Sequence, residues 1–499
     1  MENRYNLLDE PWIPVNGGQS ISLLQAWSID SPLLLGGTSI QKLAILKFLL
    51  AIAQRAATPA DTLQWKEMGT AGMAQKCKDY LENQRHLFYL YGDAPFLQYP
   101  SLVAMKTKKK GEPLPVQPIG RAYHPDIPSD NDSVVNHLQA YRTPTDADKV
   151  LFLLSIMNFS FSGKRITLTE PLTEGYASKS ISAAPGPALG NYHGYLHSCL
   201  WGQSIAETVW LNLFTYKELS FYPQWENDPL IPPWEAMPKG EDDDIARALK
   251  KGFMGTLVGM SRFVLLQENG IIYTEGIQYP SHKQGWREPF MSIKEQDKVV
   301  FLDMSRKPWR NLNALLSLSL SKTKQNISCS QIDLFLLRAR ASVEKFGVWS
   351  GGLKVRATAG DQSVKQDDDF IESLVWLDSQ ILGELWFGEL ELAMGKLETF
   401  STALWSAVRN YFRHVNLQPS QTIARANSAT ASYWSYCETL FQQIVDGCHN
   451  PEKLEPIYQK IRNKIEELYA AMCGKETARQ MEAWVLYHPL SGRFFKKEA

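Results

Sequence analysis

Hydrophobic and polar positions change rhythm along this chain. In Ile40–Ala56 the apolar residues return every three to four positions, and Thr62–Gln84 continues the pattern, so both stretches are predicted helices. Before them, Trp12–Val15 reads as a short strand running into a turn at Gly17–Gly18, and after them GDAPFLQYP (92–100) reads as a loop bearing aromatics. Residues 106–135 have no period; they start basic, with Lys106, Lys108, Lys109 and Lys110, and end acidic and polar. An irregular segment of that length inside a domain is either functional or disordered. Asn-Gly at 269–270, between two apolar runs, predicts a hairpin, and a second hairpin is expected from Val348 to Phe370 with its tip near Ala359–Gly360. From about Glu372 glycine becomes sparse and four long helical patterns follow: Ser379–His414, Ser420–Val445, Glu452–Cys473 and Lys475–Tyr487. Short breaks between them predict an up-and-down bundle. The expected class is α+β: a large mixed N-terminal domain over 1–371 with irregular loops and hairpins, then a C-terminal four-helix bundle over 372–499.

Composition narrows the function. A chain of 499 residues is too long for a single core, and 44% hydrophobic with 21% charged residues is an ordinary globular balance. The formal net charge of −1 means that any contact with nucleic acid must run through local patches. Six scattered cysteines without a CxxC pair make neither a disulfide framework nor a zinc site, which points to a reducing cytosol. The polar start MENRYNLLDEPW lacks the apolar run of a secretory signal, and Leu43–Ala53 is too short to span a bilayer, so no membrane is expected.

Catalytic chemistry is hard to find. His193 and His197 in HGYLH have the i, i+4 spacing of metal ligands on a helix, but Gly194 weakens that helix and the nearest acid is Glu207. Packing histidines are the favoured reading over a metal hydrolase, and no cofactor is expected. Asp242–Asp244 and Asp367–Asp369 read as charge at helix starts rather than metal clusters. The run SAAPGPALGNYHGYLH (182–197) contains no phosphate-binding glycine motif; its small residues suit either a close approach of backbone to something or a packed turn. The basic run 105–111 and a diffuse group of Lys322, Lys324, Arg338, Arg340, Lys354 and Arg356 are either solvated charge or phosphate contacts.

Several stretches, in order, resemble the CasA family, the large subunits of the type I-E CRISPR surveillance complex called Cascade. They are NLLDEPWIPV (6–15), FYLYGDAPFLQ (88–98), IPSDNDS (127–133), APGPALGNYHGYLH (184–197) with TVWLNLFT (208–215), and WSGGLKVRATAGDQ (349–362). The resemblance implies a cytoplasmic, non-catalytic subunit that recognises the protospacer-adjacent motif (PAM) of double-stranded DNA from the minor groove. It also implies that the subunit starts strand separation and recruits a helicase-nuclease. Its implied partners are the crRNA-containing backbone, the small subunits beside the bundle, target duplex and that effector. A protein-interaction scaffold that never reads DNA is the alternative.

Site expectations follow from the same resemblance. Gly186, Ala188, Leu189, Gly190 and Asn191 would lie in the minor groove, with Pro185 and Pro187 limiting the loop's freedom. Lys354, Arg356, Thr358 and Gln362 would form the wedge that opens the duplex, and Lys283 a lysine reaching the groove. Ser129, Asn131 and Asp132 would dock on the guide-handle end of the backbone, with Lys106, Lys108, Lys109 and Lys110 as a phosphate patch. No metal is expected.

Overall fold

A helix that is apolar on every side has to be buried on every side. That is α1 (Ser39–Ala57), whose side chains from Ile40 to Ala53 are almost all inside the protein. Thr38 starts it with a capping box: its hydroxyl accepts from the Gln41 amide, and the Gln41 side chain accepts from the Thr38 amide. The computed structural model describes residues 2–106, 111–116, 144–159, 172–173, 176, 194–268, 270–279, 288–294, 298–321, 327–354, 356–358, 361–363 and 370–489.

Around α1 most of the N-terminal elements are short, a 22-residue helix excepted. They are β1 (Arg4–Asn6), β2 (Ile13–Pro14), β3 (Ser20–Ile21), α2 (Thr62–Asn83), β4 (Tyr89–Tyr91), α3 (Asp146–Phe159), β5 (His197–Trp201) and α4 (Ile205–Leu211). Then come α5 (Asp244–Lys251), β6 (Arg262–Gln267), β7 (Gly270–Glu275), β8 (Ile293–Lys294), β9 (Lys298–Val299), α6 (Leu312–Ser321) and α7 (Ser330–Arg340). β2 and β3 form the hairpin around Gly17–Gly18, both glycines at positive φ, and β6 and β7 form the Asn-Gly hairpin. The opening motif is structural: Leu7, Leu8 and Trp12 are fully buried, Trp12 Nε1 donates to the Leu7 carbonyl at 2.9 Å, and the Asn6 side chain accepts from the Leu8 amide at 2.9 Å. Phe96 of the aromatic loop packs against Phe48, Phe88 and Trp234. Trp65 and Trp210 stack with centroids 4.0 Å apart, each indole donating to the other's carbonyl.

A three-stranded sheet in the order β13-β10-β5 joins β10 (Lys345–Leu353) to β13 (Phe370–Asp378) and β5. From the end of β10 issues the ribbon of β11 (Arg356–Thr358) and β12 (Asp361–Ser363), as the hairpin expectation requires. The chain divides into two units inside β13: residues 1–309 with 325–374 form one, and 310–324 with 375–499 the other. The expected boundary at 371/372 therefore lies three residues early, and it misses α6, which clusters with the second unit.

In the second unit α8 (Glu384–His414) packs on α9 (Pro419–Gly447), α10 (Leu454–Met472), α11 (Ala478–Leu486) and α6. Buried polar tips tie these helices: Trp386 Nε1 donates to the Val445 carbonyl at 3.0 Å, and the Tyr433 hydroxyl to the Leu397 carbonyl at 2.9 Å. Arg310 pairs with Glu398 at 2.8 Å while its guanidinium lies 3.5 Å over Trp434, fixing the start of α6 to the bundle. Among the described residues, no single helix is long and apolar enough to cross a membrane.

Candidate nucleic-acid interface

The described part of the site is the ground from which its loops depart. Gly194, first described residue after 177–193, donates its amide to the Leu353 carbonyl at 2.7 Å, and its own carbonyl accepts from the Leu302 amide at 2.8 Å. Leu353 is the last residue of β10, shortly before the β11–β12 ribbon. The root of the glycine-bearing loop and the root of the ribbon are thus hydrogen-bonded neighbours.

Small residues make this junction possible. A Cβ on Gly351 would sit 2.7 Å from the Ile371 carbonyl oxygen, and one on Gly352 2.8 Å from the Tyr195 carbonyl oxygen. The Gly-Gly of WSGGLK is therefore required by strand spacing. Ser39, the first residue of α1, donates its hydroxyl to the Gly352 carbonyl at 2.5 Å. Glu372, at the ribbon's other root, accepts from Trp349 Nε1 at 2.8 Å and pairs with Lys42.

Beneath the junction lies charge. Lys47 and Glu288, both fully buried, form an ion pair at 3.0 Å. Lys47 Nζ also lies 5.4 Å over the ring of Phe159, the last residue of α3, and that ring meets His197 edge-on at 5.6 Å. Glu288 accepts from the Phe290 amide at 3.0 Å, and the Phe290 carbonyl accepts from the Ser198 amide at 2.8 Å. Burial lowers the Lys47 pKa against the opposing pull of Glu288, and burial raises that of Glu288 against the pull of Lys47. His197 is pushed down to about 3, by burial first and by the Lys47 charge second, and stays neutral at physiological pH.

The residues singled out in the sequence fall as follows. Gly186, Ala188, Leu189, Gly190 and Asn191 lie outside the described residues, as do His193, Lys283, Ser129, Asn131, Asp132, Lys108, Lys109, Lys110 and Asp367–Asp369. Lys106 is exposed. Lys354 is half-buried in the field of Asp303; burial alone would push that carboxyl up, but hydrogen bonds from Ser305 and the charges of Lys354 and Arg306 hold it below its ordinary range. The ribbon register is Arg356↔Ser363, Ala357↔Gln362 and Thr358↔Asp361.

His197 is the packing histidine favoured from sequence, though on a strand: it opens β5, pairs with Gly351 and is wholly buried. One reading changes. Arg338 is no phosphate ligand: it is 7% exposed, forked on Glu218 at 2.9 and 3.0 Å and stacked on Trp65. Burial brings its pKa down to about 10, with Glu218 opposing, so it keeps its charge for that pair. Asp243 caps α5 by accepting from the Ala246 amide, as expected of a helix start. All six cysteines are free and buried. Among the described residues no three His, Cys, Asp or Glu side chains gather into a cation site. Lys47 and Glu288 were not found from sequence; the available signal was a lysine inside an otherwise apolar helix, which demands a partner.

Comparison with known proteins places the chain. CRISPR-associated protein CasA/Cse1 of Thermus thermophilus is 31% identical over 248 residues, 46% of this chain and 43% of that protein, so the match spans less than half of the relative's length. The crystal structure of Thermobifida fusca Cse1 superposes with a TM-score of 0.69 at 18% identity, over 96% of this chain and 92% of that one. A chain from a CRISPR RNA-guided surveillance complex does so with a TM-score of 0.69 at 15% identity, over 99% of this chain and 100% of the other. At those identities the superpositions speak to fold alone. The model of the CRISPR-associated protein Cse1 family matches residues 6–472, and this chain belongs to that family.

Proposed function

We propose that this chain is the non-catalytic large subunit of a type I-E CRISPR RNA-guided surveillance complex, reading the PAM of duplex DNA from the minor groove. In this reading the backbone of 184–191 approaches base edges that bulkier side chains could not reach, since the minor groove is narrow and its hydrogen-bond code degenerate. The ribbon beside it unstacks the neighbouring step, which costs on the order of a few kcal/mol and is offset by guide pairing in a near-balanced exchange. A helicase-nuclease recruited to the complex then does the cutting.

The observation that supports this reading is the Gly194–Leu353 hydrogen bond: a reading segment and a wedge must act on adjacent base steps, and the residue that follows the first is bonded to the residue that ends β10 before the second. Leu385 and Leu392 on α8, 89% and 68% exposed, support the bundle's assignment to a protein neighbour such as the small subunits. Ser129, Asn131 and Asp132 are assigned to the guide-handle end, and Lys283 to the groove.

The test uses the complex assembled from all its subunits and guide RNA. PAM-bearing duplex is expected to bind at least about ten-fold more tightly than PAM-less duplex. Gly190→Trp is expected to erase that preference while the subunit still assembles. Equal affinity of the parent complex for both duplexes would contradict the proposal.

A further inference from the structure

We propose that Lys47, Glu288 and His197 form a buried polar hub that fixes the junction of β5, the end of β10 and residues 288–292, from which the β11–β12 ribbon follows, acting as positioning residues and touching no DNA themselves. The inference rests on the function proposed above. Four segments meet at the hub. Phe159 ends α3 under Lys47 Nζ and against His197, and Glu288 pairs with Lys47. Gly194 stands three residues before His197, and Gly351, paired with His197, stands two before the end of β10.

The hub links these points by directional contacts. Lys47 projects from α1 to Glu288 at 3.0 Å, Glu288 holds the Phe290 amide, and Phe290 holds the Ser198 amide beside His197. His197 and Met291 bridge their strands, and Ser292 donates to the Leu196 carbonyl at 2.9 Å.

A purely stabilising role does not account for the charges. Well-packed apolar residues often replace a buried ion pair without loss of stability, whereas removing one partner leaves an uncompensated buried charge. What the pair supplies and an apolar core does not is a fixed distance and direction between α1 and the 288–292 segment.

The experiment separates stability from positioning. Lys47→Met alone is expected to lower the urea midpoint, and Lys47→Met/Glu288→Met to recover most of it. In the assembled complex the double variant is nonetheless expected to bind PAM-bearing duplex about ten-fold more weakly than the parent. Parent-like affinity in the folded double variant would overturn the proposal. Should that variant not fold, Glu288→Gln is measured by amide hydrogen exchange in the free subunit. Faster exchange at 194–198 and 290–293 with the bundle amides unchanged is expected, and unchanged exchange at those roots would overturn it. A parent complex blind to the PAM would contradict the functional reading instead, and the exchange measurement, which needs no DNA, would still decide the hub.

Discussion

Arg338 and Lys47 stand in sequence contexts that look alike, basic residues among apolar ones, and both turn inward to an acid: Glu218 and Glu288. Net charge and local runs count such residues as available to phosphate; only burial reveals that they are committed. Arg338→Met, which strands Glu218 in the core, is expected to cost about 3–5 kcal/mol, read as a lower urea midpoint. His197 has a pH signature. Its folded-state pKa of about 3 lies below the ordinary histidine value, so the unfolded chain takes up a proton that the folded one refuses. Stability from this group is complete above about pH 6.5 and is lost as pH falls towards 3, at up to about 1.4 kcal/mol per pH unit. His197→Phe should remove that slope; urea unfolding of parent and variant at about pH 7.5 and about pH 5 checks it, and parallel losses would contradict it.

At the scale of elements, what could be read from sequence was whatever carried punctuation. The bundle helices ended close to where Pro419, Asn450-Pro451 and Gly474 said they would, and the strands expected on either side of 269 and of 359–360 are paired. Helices α3 and α6 were harder to read: VLFLLSIMNF is apolar on nearly every side, and the leucine–serine alternation in LNALLSLSLS has the period of a strand, so no 3.6-residue period stands out. The strand at His197 was hidden for a related reason: buried on both faces, it has no alternation to betray it, even though packing was the favoured reading of its histidine. The glycines of WSGGLK were legible as special, but their reason, the closeness of neighbouring strands, needed three dimensions. Gly351→Val should wedge β10 from β13, costing about 1–3 kcal/mol, with faster hydrogen exchange at the Gly194 amide. Unchanged exchange there would show that the loop root is held independently of the sheet.

At the scale of the molecule, the two units have separate cores, and their stabilities should separate too. Leu404, fully buried in α8, is a clean probe: Leu404→Ala is expected to cost the bundle about 2–5 kcal/mol while hydrogen exchange in α1 stays as in the parent. The overall architecture was legible because the change from short, glycine-rich elements to long helices is written in composition, but the recruitment of 310–324 to the second unit was not, since chain order says nothing about which core an apolar helix joins. The functional reading rests on the hydrogen bond that joins Gly194 to Leu353 at the end of β10. Its most direct test is a photo-crosslinking residue at position 188 in the full guide-loaded complex on PAM-bearing duplex. Crosslinks to minor-groove atoms of the PAM are the predicted result, and crosslinks confined to this subunit's own polypeptide would contradict it.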